Sequence, residues 1–251
     1  MIKFFDGDCI EAMKSLKDGS VDFVLTDPPY GITACSWDEV IPFEDMWEQI
    51  KRVTKKTGAI ALFGREPFSS ALRMSNLKNY KYDWIWFKNK PSGMAAAKYR
   101  PMTTHEIISV FCYGTHAYYP IKEERDLKPK YDKLKEGDFT RTFYGNNTQN
   151  LKDDGREQTR VFSALRGPTT VKKFDVVSNH SGRLHPTQKP VELLNYLIRT
   201  YTVENETVLD FAMGSGSTGV AAQQLNRNFI GIDNGKNKDG ESWVSVARKR
   251  L

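Results

Sequence analysis

The chain has 251 residues, of which 39% are apolar, and a net charge of +6 with a pI near 9.0; this suits one large domain, or a core domain plus an insert, and favours a polyanionic partner. No apolar run approaches the roughly 20 residues of a membrane span, and the N-terminus lacks a signal peptide's apolar stretch, so we expect a soluble, cytoplasmic protein without a membrane partner. The three cysteines and four histidines are too scattered for a disulfide framework or a metal site, so we expect neither.

Helical and extended patterns alternate from residue 2 to about residue 90. This alternation predicts an α/β fold, with a doubly wound, mostly parallel sheet and helices on both faces. Two apolar, aromatic-rich strands at the end of this stretch predict an antiparallel edge. The predicted strands cover 2–5, 21–25, 59–63, 82–87 and 106–113; the predicted helices begin at Asp8, Phe43 and Glu66, and Gly58 ends the second.

The strand at 21–25 runs into Asp27, Pro28, Pro29 and Tyr30. Each proline fixes its own φ and keeps the preceding residue out of the helical region, so this turn should be extended. An extended turn can point the Asp27 carboxylate and the Pro28 carbonyl into one cleft, beside the Tyr30 ring. Two acceptors and a ring face suit a planar base that carries an exocyclic amino group. An ordinary proline turn after a strand explains these four residues equally well by themselves.

Residues 114–180 are highly charged, contain few aliphatic residues and show no sustained periodicity. Aromatic residues alternate here with basic residues such as Lys128, Lys130 and Arg141, a mixture that suits phosphate contacts and base stacking. A solvated loop region is an equal alternative. We therefore predict an insert at 114–180. If it touches DNA, it would set the sequence choice, because base contacts carry the specificity.

Beyond the insert, Pro190 marks the start of a helix with a buried apolar stripe. Thr187, Gln188 and Lys189 come immediately before it. The N-terminus of this helix could receive a carboxylate, because its backbone amides lack helical partners. Helix capping alone would explain much of the same sequence.

A strand at 207–213 leads into a loop with Gly214, Gly216 and Gly219, then a helix and a strand that ends at Asp233. Glycines let the backbone pass close to a bound nucleoside, and an acid after the second strand is placed to accept hydrogen bonds from ribose hydroxyls. The order of these parts predicts a nucleoside-binding βαβ unit.

The glycine spacing by itself does not choose between cofactors, because G-x-G-x-x-G also fits a dinucleotide such as NAD. Asp210, at the end of the strand before the loop, could hold an ammonium group. The chain offers an amine-holding site at Asp27 and no evident partner for hydride transfer. These features together favour S-adenosylmethionine as the cofactor.

With these motifs in place, the chain resembles the β group of the DNA amino-methyltransferases, in which the Asp-Pro-Pro-Tyr motif precedes the target-recognition region and the cofactor motif. The resemblance implies a Rossmann-like, circularly permuted methyltransferase fold. It makes 1–113 with 181–251 the catalytic domain and 114–180 an inserted target-recognition region. Further matches to the family are Asp8-Cys9, Phe63-Gly64 with Glu66-Pro67-Phe68, His105-Glu106, the hexapeptide at 185–190 and the segment 210–216.

The resemblance also implies roles for individual residues. Asp27, Pro28 and Pro29 would form the catalytic motif that holds the target amino group, and Tyr30 would stack on a flipped base. Asp233 would take the ribose, Asp8 and Cys9 would lie near the adenine of the cofactor, and 187–189 would meet its carboxylate. The implied cofactor-binding residues are Asp8, Cys9, Asp27, Thr187, Gln188, Lys189, Asp210, Phe211, Gly214, Gly216, Ser217, Thr218 and Asp233, and the loop Lys88, Asn89, Lys90 would approach the DNA.

The implied activity is methyl transfer from S-adenosylmethionine to adenine N6 in double-stranded DNA, with base flipping. Cytosine-N4 enzymes of the family more often have Ser where this chain has Asp27, so adenine is favoured and cytosine is the near alternative. Glutamine and RNA methyltransferases usually have Asn there. A DNA-binding regulator that has lost catalysis is a rival from another class. The resemblance implies a prokaryotic or phage-encoded protein and leaves open a homodimer and a cognate restriction nuclease.

One departure from the family is the stretch 234–242, which is longer and more charged than the usual link into the last helix. It leaves the start of that helix open.

Overall fold

The computed structural model describes residues 1–32, 38–124, 165–178, 183–185 and 187–251. The chain divides into two compact units, one formed by Met1–Tyr119 with Thr169–Leu251 and the other by Pro120–Pro168. The second unit lies within the predicted insert at 114–180, and the predicted domain boundaries stay a prediction. None of the helices in the described residues has the length and apolar character needed to cross a bilayer.

The first unit alternates helices with strands, as the sequence pattern predicts. The helices in the described residues are α1 (Cys9–Lys14), α2 (Phe43–Val53), α3 (Phe68–Ser75), α4 (Val191–Tyr201), α5 (Ser217–Gln224) and α6 (Trp243–Arg248), with a short 3-10 turn at Met94–Ala96. Among the residues that the structure describes, the strands of both units are β1 (Ile2–Asp6), β2 (Val21–Thr26), β3 (Thr54–Gly64), β4 (Tyr80–Ser92), β5 (Thr103–Phe111), β6 (Glu123–Glu124), β7 (Leu165–Arg166), β8 (Val171–Phe174), β9 (Thr207–Asp210) and β10 (Asn228–Asp233). In the second unit, β6 and β7 pair antiparallel.

In the described residues, the first unit has an eight-stranded sheet in the order β1-β10-β9-β2-β3-β5-β4-β8. Neighbouring strands from β1 to β3 are parallel, whereas β5 is antiparallel to both β3 and β4. The edge strand β8 pairs parallel with β4, although it lies within the region predicted as the insert. The predicted fold class, a mostly parallel sheet with antiparallel strands towards one edge, is confirmed.

Strand β2 is buried along its whole length because it has parallel neighbours on both sides and helices on both faces. Phe23 and Leu25 pack on one face with Leu194 and Leu197 of α4. Val24 packs on the opposite face with helices α1, α2 and α3. The β-branched and aromatic run of this strand therefore forms the centre of two cores, and its carboxyl end delivers Asp27 to the edge of the sheet.

Several predicted boundaries are wrong. Helix α2 ends at Val53, not at Gly58, because β3 already begins at Thr54 and bulges against β2: Val21 pairs with Thr54, and Phe23 pairs with Ala59. Gly58 serves this bulge, since a Cβ there would lie 2.8 Å from the Asp22 carbonyl oxygen.

The predicted loop at 88–90 is a continuation of strand β4, which runs to Ser92. The strand predicted at 207–213 ends at Asp210, where the chain turns towards the glycine loop. The open question at 234–242 is answered by Ser242, whose hydroxyl accepts a hydrogen bond from the Ser245 amide and begins α6.

Candidate active site

The carboxyl ends of β2 and β9 lie side by side, because these strands are parallel neighbours in the sheet. Asp27 follows the first and Asp210 ends the second. A cavity of about 990 Å³ opens at this edge, and its lining includes the Asp27 turn, the Gly214 loop and Asp233. The two motifs, nearly two hundred residues apart in sequence, therefore share one cavity, at the place where open α/β sheets bind ligands.

Both oxygens of the Asp27 carboxylate accept hydrogen bonds. The Tyr30 hydroxyl donates to Oδ1, and the Lys189 ammonium donates to Oδ2. Lys189 Nζ also lies 3.4 Å from Glu106 Oε2, and Lys88 Nζ donates to Glu106 Oε1 at 3.0 Å. Lys88, Glu106, Lys189 and Asp27 thus form a largely buried ion-pair chain of alternating charge along the cavity wall.

Burial and charge act against each other along this chain. Burial raises the pKa of Asp27, and Glu106 adds to this effect while Lys189 and Tyr30 oppose it. Burial also disfavours ionisation of Glu106, but Lys189 and Lys88 outweigh it and lower the pKa of that carboxyl. Burial and the neighbouring Asp27 charge raise the pKa of Tyr30 well above its usual value, so its hydroxyl stays protonated and donates.

A second acid, Asp38, holds the chain that follows Tyr30. Its Oδ1 accepts hydrogen bonds from the Tyr30 and Gly31 amides at 2.7 and 2.9 Å, and its Oδ2 accepts one from the Ile32 amide at 3.0 Å. The Tyr30 ring lies 5.1 Å from the Phe68 ring, at a tilt of 32°. The orientation of Tyr30 is therefore set from the backbone, the ring and the hydroxyl together.

Backbone amides hold the acid at the end of β10. Asp233 Oδ2 accepts from the Gly214 amide at 2.8 Å, and Oδ1 accepts from the Gly235 amide at 2.7 Å. Burial raises the pKa of this carboxyl, and the two backbone hydrogen bonds oppose that shift. The acid therefore links the end of its own strand to the start of the glycine loop.

Asp210 is 4% exposed and lines the same cavity. Burial raises its pKa to about 7, although hydrogen bonds with Thr218, the Ala212 amide and Thr26 act in the other direction. A carboxyl with a pKa near neutrality gains charge readily when a cation arrives. This property suits the predicted contact with an ammonium group.

The glycines of the loop allow close packing against the rest of the protein, and they also leave space for a ligand. Gly216 has φ of +77°, and a Cβ there would lie 2.7 Å from the Ala247 Cβ of α6. A Cβ at Gly219 would lie 2.7 Å from the Phe229 ring and from Leu251. Gly214, with φ of +50°, faces the His185 ring instead, 3.6 Å from where its Cβ would be. The loop is thus close-packed against α6 and β10 on its protein side.

The segment before α4 is folded on His185. Its Nδ1 accepts from the Thr187 amide at 3.2 Å, and its ring packs edge-on against Trp243 at 4.5 Å. Gln188 Oε1 accepts from the Leu184 amide at 2.8 Å. Burial lowers the pKa of His185 to about 4, with Lys189 and Arg183 adding to the effect, so this imidazole is neutral near pH 7.

Most of the predicted site residues line the cavity. These are Asp8, Cys9, Asp27, Pro28, Pro29, Tyr30, Lys88, Lys90, Thr187, Gln188, Lys189, Asp210, Phe211, Gly214, Ser217, Thr218 and Asp233. Gly216 does not line the cavity, because its backbone faces α6. Asn89 does not line it either, and its side-chain oxygen accepts a hydrogen bond from the Val176 amide at 3.0 Å. The predicted DNA contacts Lys128, Lys130 and Arg141 lie outside the described residues.

Three residues that sequence reasoning gave no role belong to the cavity lining. Glu106 belongs to a dipeptide that matches the family, but its pairing with two lysines depends on contact between β4, β5 and the segment before α4. Asp38 carries no local signal, because its hydrogen-bond partners precede it by six to eight residues. His185 was noted only as part of a hexapeptide.

Comparison with known proteins agrees with this geometry. A sequence model of a family described as DNA methylase, covering adenine-N6 and cytosine-N4 enzymes, matches residues 21–238. The Type II methyltransferase M1.MboII of Moraxella bovis is 28% identical over 243 residues, covering 92% of this chain and 91% of that protein. The Type II methyltransferase M2.DpnII of Streptococcus pneumoniae is 26% identical, covering 97% and 87%.

Solved structures show the same fold. The crystal structure of M1.HpyAVI in complex with SAM has a TM-score of 0.64 at 24% identity, with both chains covered in full. The PvuII DNA methyltransferase, described as cytosine-N4-specific, has a TM-score of 0.65 at 13% identity and is covered over 86% of its length. At these identities the likeness establishes the architecture of the chain.

Proposed function

The chain belongs to the DNA methylase family whose sequence model matches residues 21–238, and we propose that it transfers a methyl group from S-adenosylmethionine to the N6 amino group of adenine in double-stranded DNA. The observation that carries this proposal is the shared cavity. Both the Asp27 turn, which suits an exocyclic amine, and the glycine loop, which suits a nucleoside, line this one cavity.

The cavity fits the proposed cofactor in size and in the chemistry of its lining. About 990 Å³ lies at the upper end of the range for small-molecule sites. Asp233 would accept from the ribose hydroxyls, Asp210 would face the ammonium group, and the segment before α4, at Thr187 and Gln188, would meet the carboxylate. Asp8 and Cys9 would lie near the adenine. When bound, the cofactor supplies an electrophilic methyl group on a sulfonium sulfur.

On the other side of the cavity, the chain would hold the target base. An aromatic amine is a poor nucleophile, because its lone pair is delocalised into the ring. Hydrogen bonds from the amine to Asp27 and to the Pro28 carbonyl would favour a more tetrahedral nitrogen and free the lone pair. Tyr30, held by Asp38 and Phe68, would stack on the base. Most of the rate gain would come from alignment and from prearranged acceptors.

Adenine is favoured over cytosine because Asp27 stands where cytosine-N4 enzymes of the family more often have Ser. Cytosine N4 is the alternative target, and the fold likeness includes a cytosine-N4-specific enzyme. A regulator that has lost catalysis would have no need of the buried ion-pair chain around Asp27, which imposes a desolvation cost on the fold.

The experiment is incubation of the full chain with cofactor labelled on the methyl group and duplex DNA of mixed sequence. Digestion of the DNA to nucleosides should give labelled N6-methyldeoxyadenosine. Label in N4-methyldeoxycytidine would show that the target is cytosine and not adenine. No label in any nucleoside, with cofactor binding intact, would contradict the methyl-transfer proposal. Sequencing methylated DNA from cells that express the chain would then give the recognition sequence.

The proposed DNA partner is consistent with the net charge of +6. Lys90 lines the cavity and lies near the end of β4, where it could meet a phosphate next to the flipped base. Lys128, Lys130 and Arg141 stay predicted DNA contacts. A homodimer and a cognate restriction nuclease stay open, and sedimentation of the purified chain tests the first.

A further inference from the structure

Lys189 occupies the place that the proposed mechanism requires for the substrate. Resting on that proposed function, we propose that Lys189 is a positioning residue: it covers the amine-accepting oxygen of Asp27 in the free protein and moves to Glu106 when the target base enters. The family resemblance implies a contact with the cofactor's carboxylate instead. The two roles lead to different experimental results.

The first argument is the occupation of Asp27. Its Oδ1 accepts from Tyr30 and its Oδ2 accepts from Lys189, whose side chain is only 10% exposed. A carboxylate oxygen can accept a second hydrogen bond, but an ammonium and an amino group both present positive hydrogens and repel each other at one oxygen. The target amine therefore binds best if one of the present donors leaves. Tyr30 is fixed by Asp38 and Phe68, so Lys189 is the donor that can leave.

The second argument is the acceptor that waits for Lys189. Glu106 Oε2 is buried and makes no hydrogen bond within the described structure, although it lies 3.4 Å from Lys189 Nζ. A buried acceptor without a hydrogen bond is unfavourable, so a short movement of the ammonium would satisfy it. The other oxygen of Glu106 is anchored by Lys88 at 3.0 Å. Glu106 is thus a fixed, charged acceptor within reach, whose Oε2 pairs with Lys189 without a hydrogen bond.

The third argument is electrostatic. The groups that face Asp27 are Tyr30, Lys189 and Glu106; Lys88 lies beyond Glu106, and the Asp27 charge acts in turn on Asp210 of β9. Movement of Lys189 to Glu106 keeps the positive charge inside this cluster. Asp27 then stays ionised while its oxygen becomes available. If the lysine moved towards solvent or towards the cofactor, the cluster would lose a positive charge and the ionised form of Asp27 would be less stable.

The test measures how much the target amino group contributes to DNA binding. A duplex with adenine at the methylated position is compared with one that carries purine deoxyriboside, which lacks the 6-amino group. For the wild-type protein with cofactor product bound, we expect the adenine duplex to bind about tenfold more tightly. If the labelled base proves to be cytosine, the two duplexes to compare carry cytosine and the 2-pyrimidinone nucleoside, which lacks the 4-amino group.

Glu106→Gln removes the charge that receives Lys189, so this preference should fall to within about twofold of no preference. Lys189→Met leaves no donor to displace, so the preference should be kept at a pH above the acidic limb, where Asp27 is ionised in this variant as well. In the Lys189→Met background, Glu106→Gln should then have no further effect on the preference. Lys189→Gln serves as a second uncharged variant, and thermal unfolding shows which variants fold.

Lys55→Met is the matched control, because Lys55 also pairs with a largely buried acid, Asp22, but does not line the cavity. It should leave the preference unchanged. The pH profile is a second readout: Lys189 lowers the pKa of Asp27, so its removal should move the acidic limb of methyl transfer to higher pH. A merely structural role would lower the rate equally at every pH.

Three results would overturn the inference. The first is a Glu106→Gln protein that keeps the full preference for the amino group. The second is a Glu106→Gln effect that is equally large with and without Lys189. The third is a Lys189→Met protein that loses cofactor binding about tenfold or more while its pH profile stays in place. A wild-type protein that methylates no DNA would instead overturn the proposed function, and this inference with it.

Discussion

Two acids that line the cavity, Asp27 and Asp233, are held by different kinds of hydrogen-bond donor. Side chains contact the Asp27 carboxylate, namely the Tyr30 hydroxyl and the Lys189 ammonium. Backbone amides, from Gly214 and Gly235, contact the Asp233 carboxylate. Side-chain donors can move or change charge, whereas amides are fixed by the fold. The Asp27 turn is therefore suited to exchange partners during a reaction, and the glycine turn is suited to hold a ligand in one position.

The largest effect is expected where side-chain chemistry decides. Asp27→Ala should lower methyl transfer at least about 1,000-fold, because the target amine loses its charged acceptor. The fold should persist, since Lys189 keeps Glu106 as an ion-pair partner. Single-turnover rates and thermal unfolding measure the two effects. Asp22→Asn, within β2 and outside the cavity lining, is the matched control, and retained activity in Asp27→Ala would remove Asp27 from the mechanism.

At the glycine turn, substitutions should act through backbone geometry, so we expect them to lower the stability of the fold. Gly216→Ala should lower the free energy of unfolding by about 2–4 kcal/mol, from a left-handed φ and a clash with Ala247. Gly214→Ala has a similar φ without the clash and should lose only about 1 kcal/mol. Urea unfolding of the two variants gives the difference. Equal losses would mean that packing against α6 does not constrain Gly216.

An intermediate effect is expected at Asp38, where a side chain holds backbone amides near the Asp27 turn. Asp38→Ala removes three hydrogen bonds that position Tyr30 and should lower kcat/KM by about 100-fold through misplacement of the base. Asp38→Asn keeps one carbonyl acceptor and should lose less. Cofactor binding, measured by calorimetry, should stay within about twofold of wild type in both variants. A parallel loss of cofactor affinity would show that this loop also supports the glycine side.

The smallest effect concerns Asp210, which lies between the two turns. Its pKa of about 7 means that the carboxyl is ionised above pH 7 and protonated below it. An ammonium group binds the ionised form, so cofactor affinity should fall by up to about tenfold per pH unit below pH 7. Asp210→Asn should bind more weakly and lose this dependence. Calorimetric titrations at pH 6 and pH 8 measure it, and a flat wild-type profile would exclude a contact between Asp210 and the ammonium.

Local patterns predicted most elements of the fold. The apolar β-branched run of β2 and the i, i+3, i+4 stripes of α2 and α4 are confirmed, because burial on one or two faces leaves a periodic record in sequence. The error at the end of α2 has a tertiary cause. Thr54 belongs to β3 because it pairs with Val21 of β2, and no local sequence pattern predicts that pairing.

The sequence by itself determined which residues are candidates for chemistry: the Asp27 turn, the glycine loop and the acids that end β9 and β10 are all visible as local motifs. Only the tertiary structure decided how these groups are held. Lys189 lies 162 positions from Asp27, and Glu106 comes to it from another strand, so their pairing depends on how β2, β5 and the start of α4 pack. The need for glycine at 216 likewise comes from Ala247 of α6. Motifs record what a short segment must do, whereas pKa values, ion pairs and close approaches depend on neighbours that only folding brings into contact.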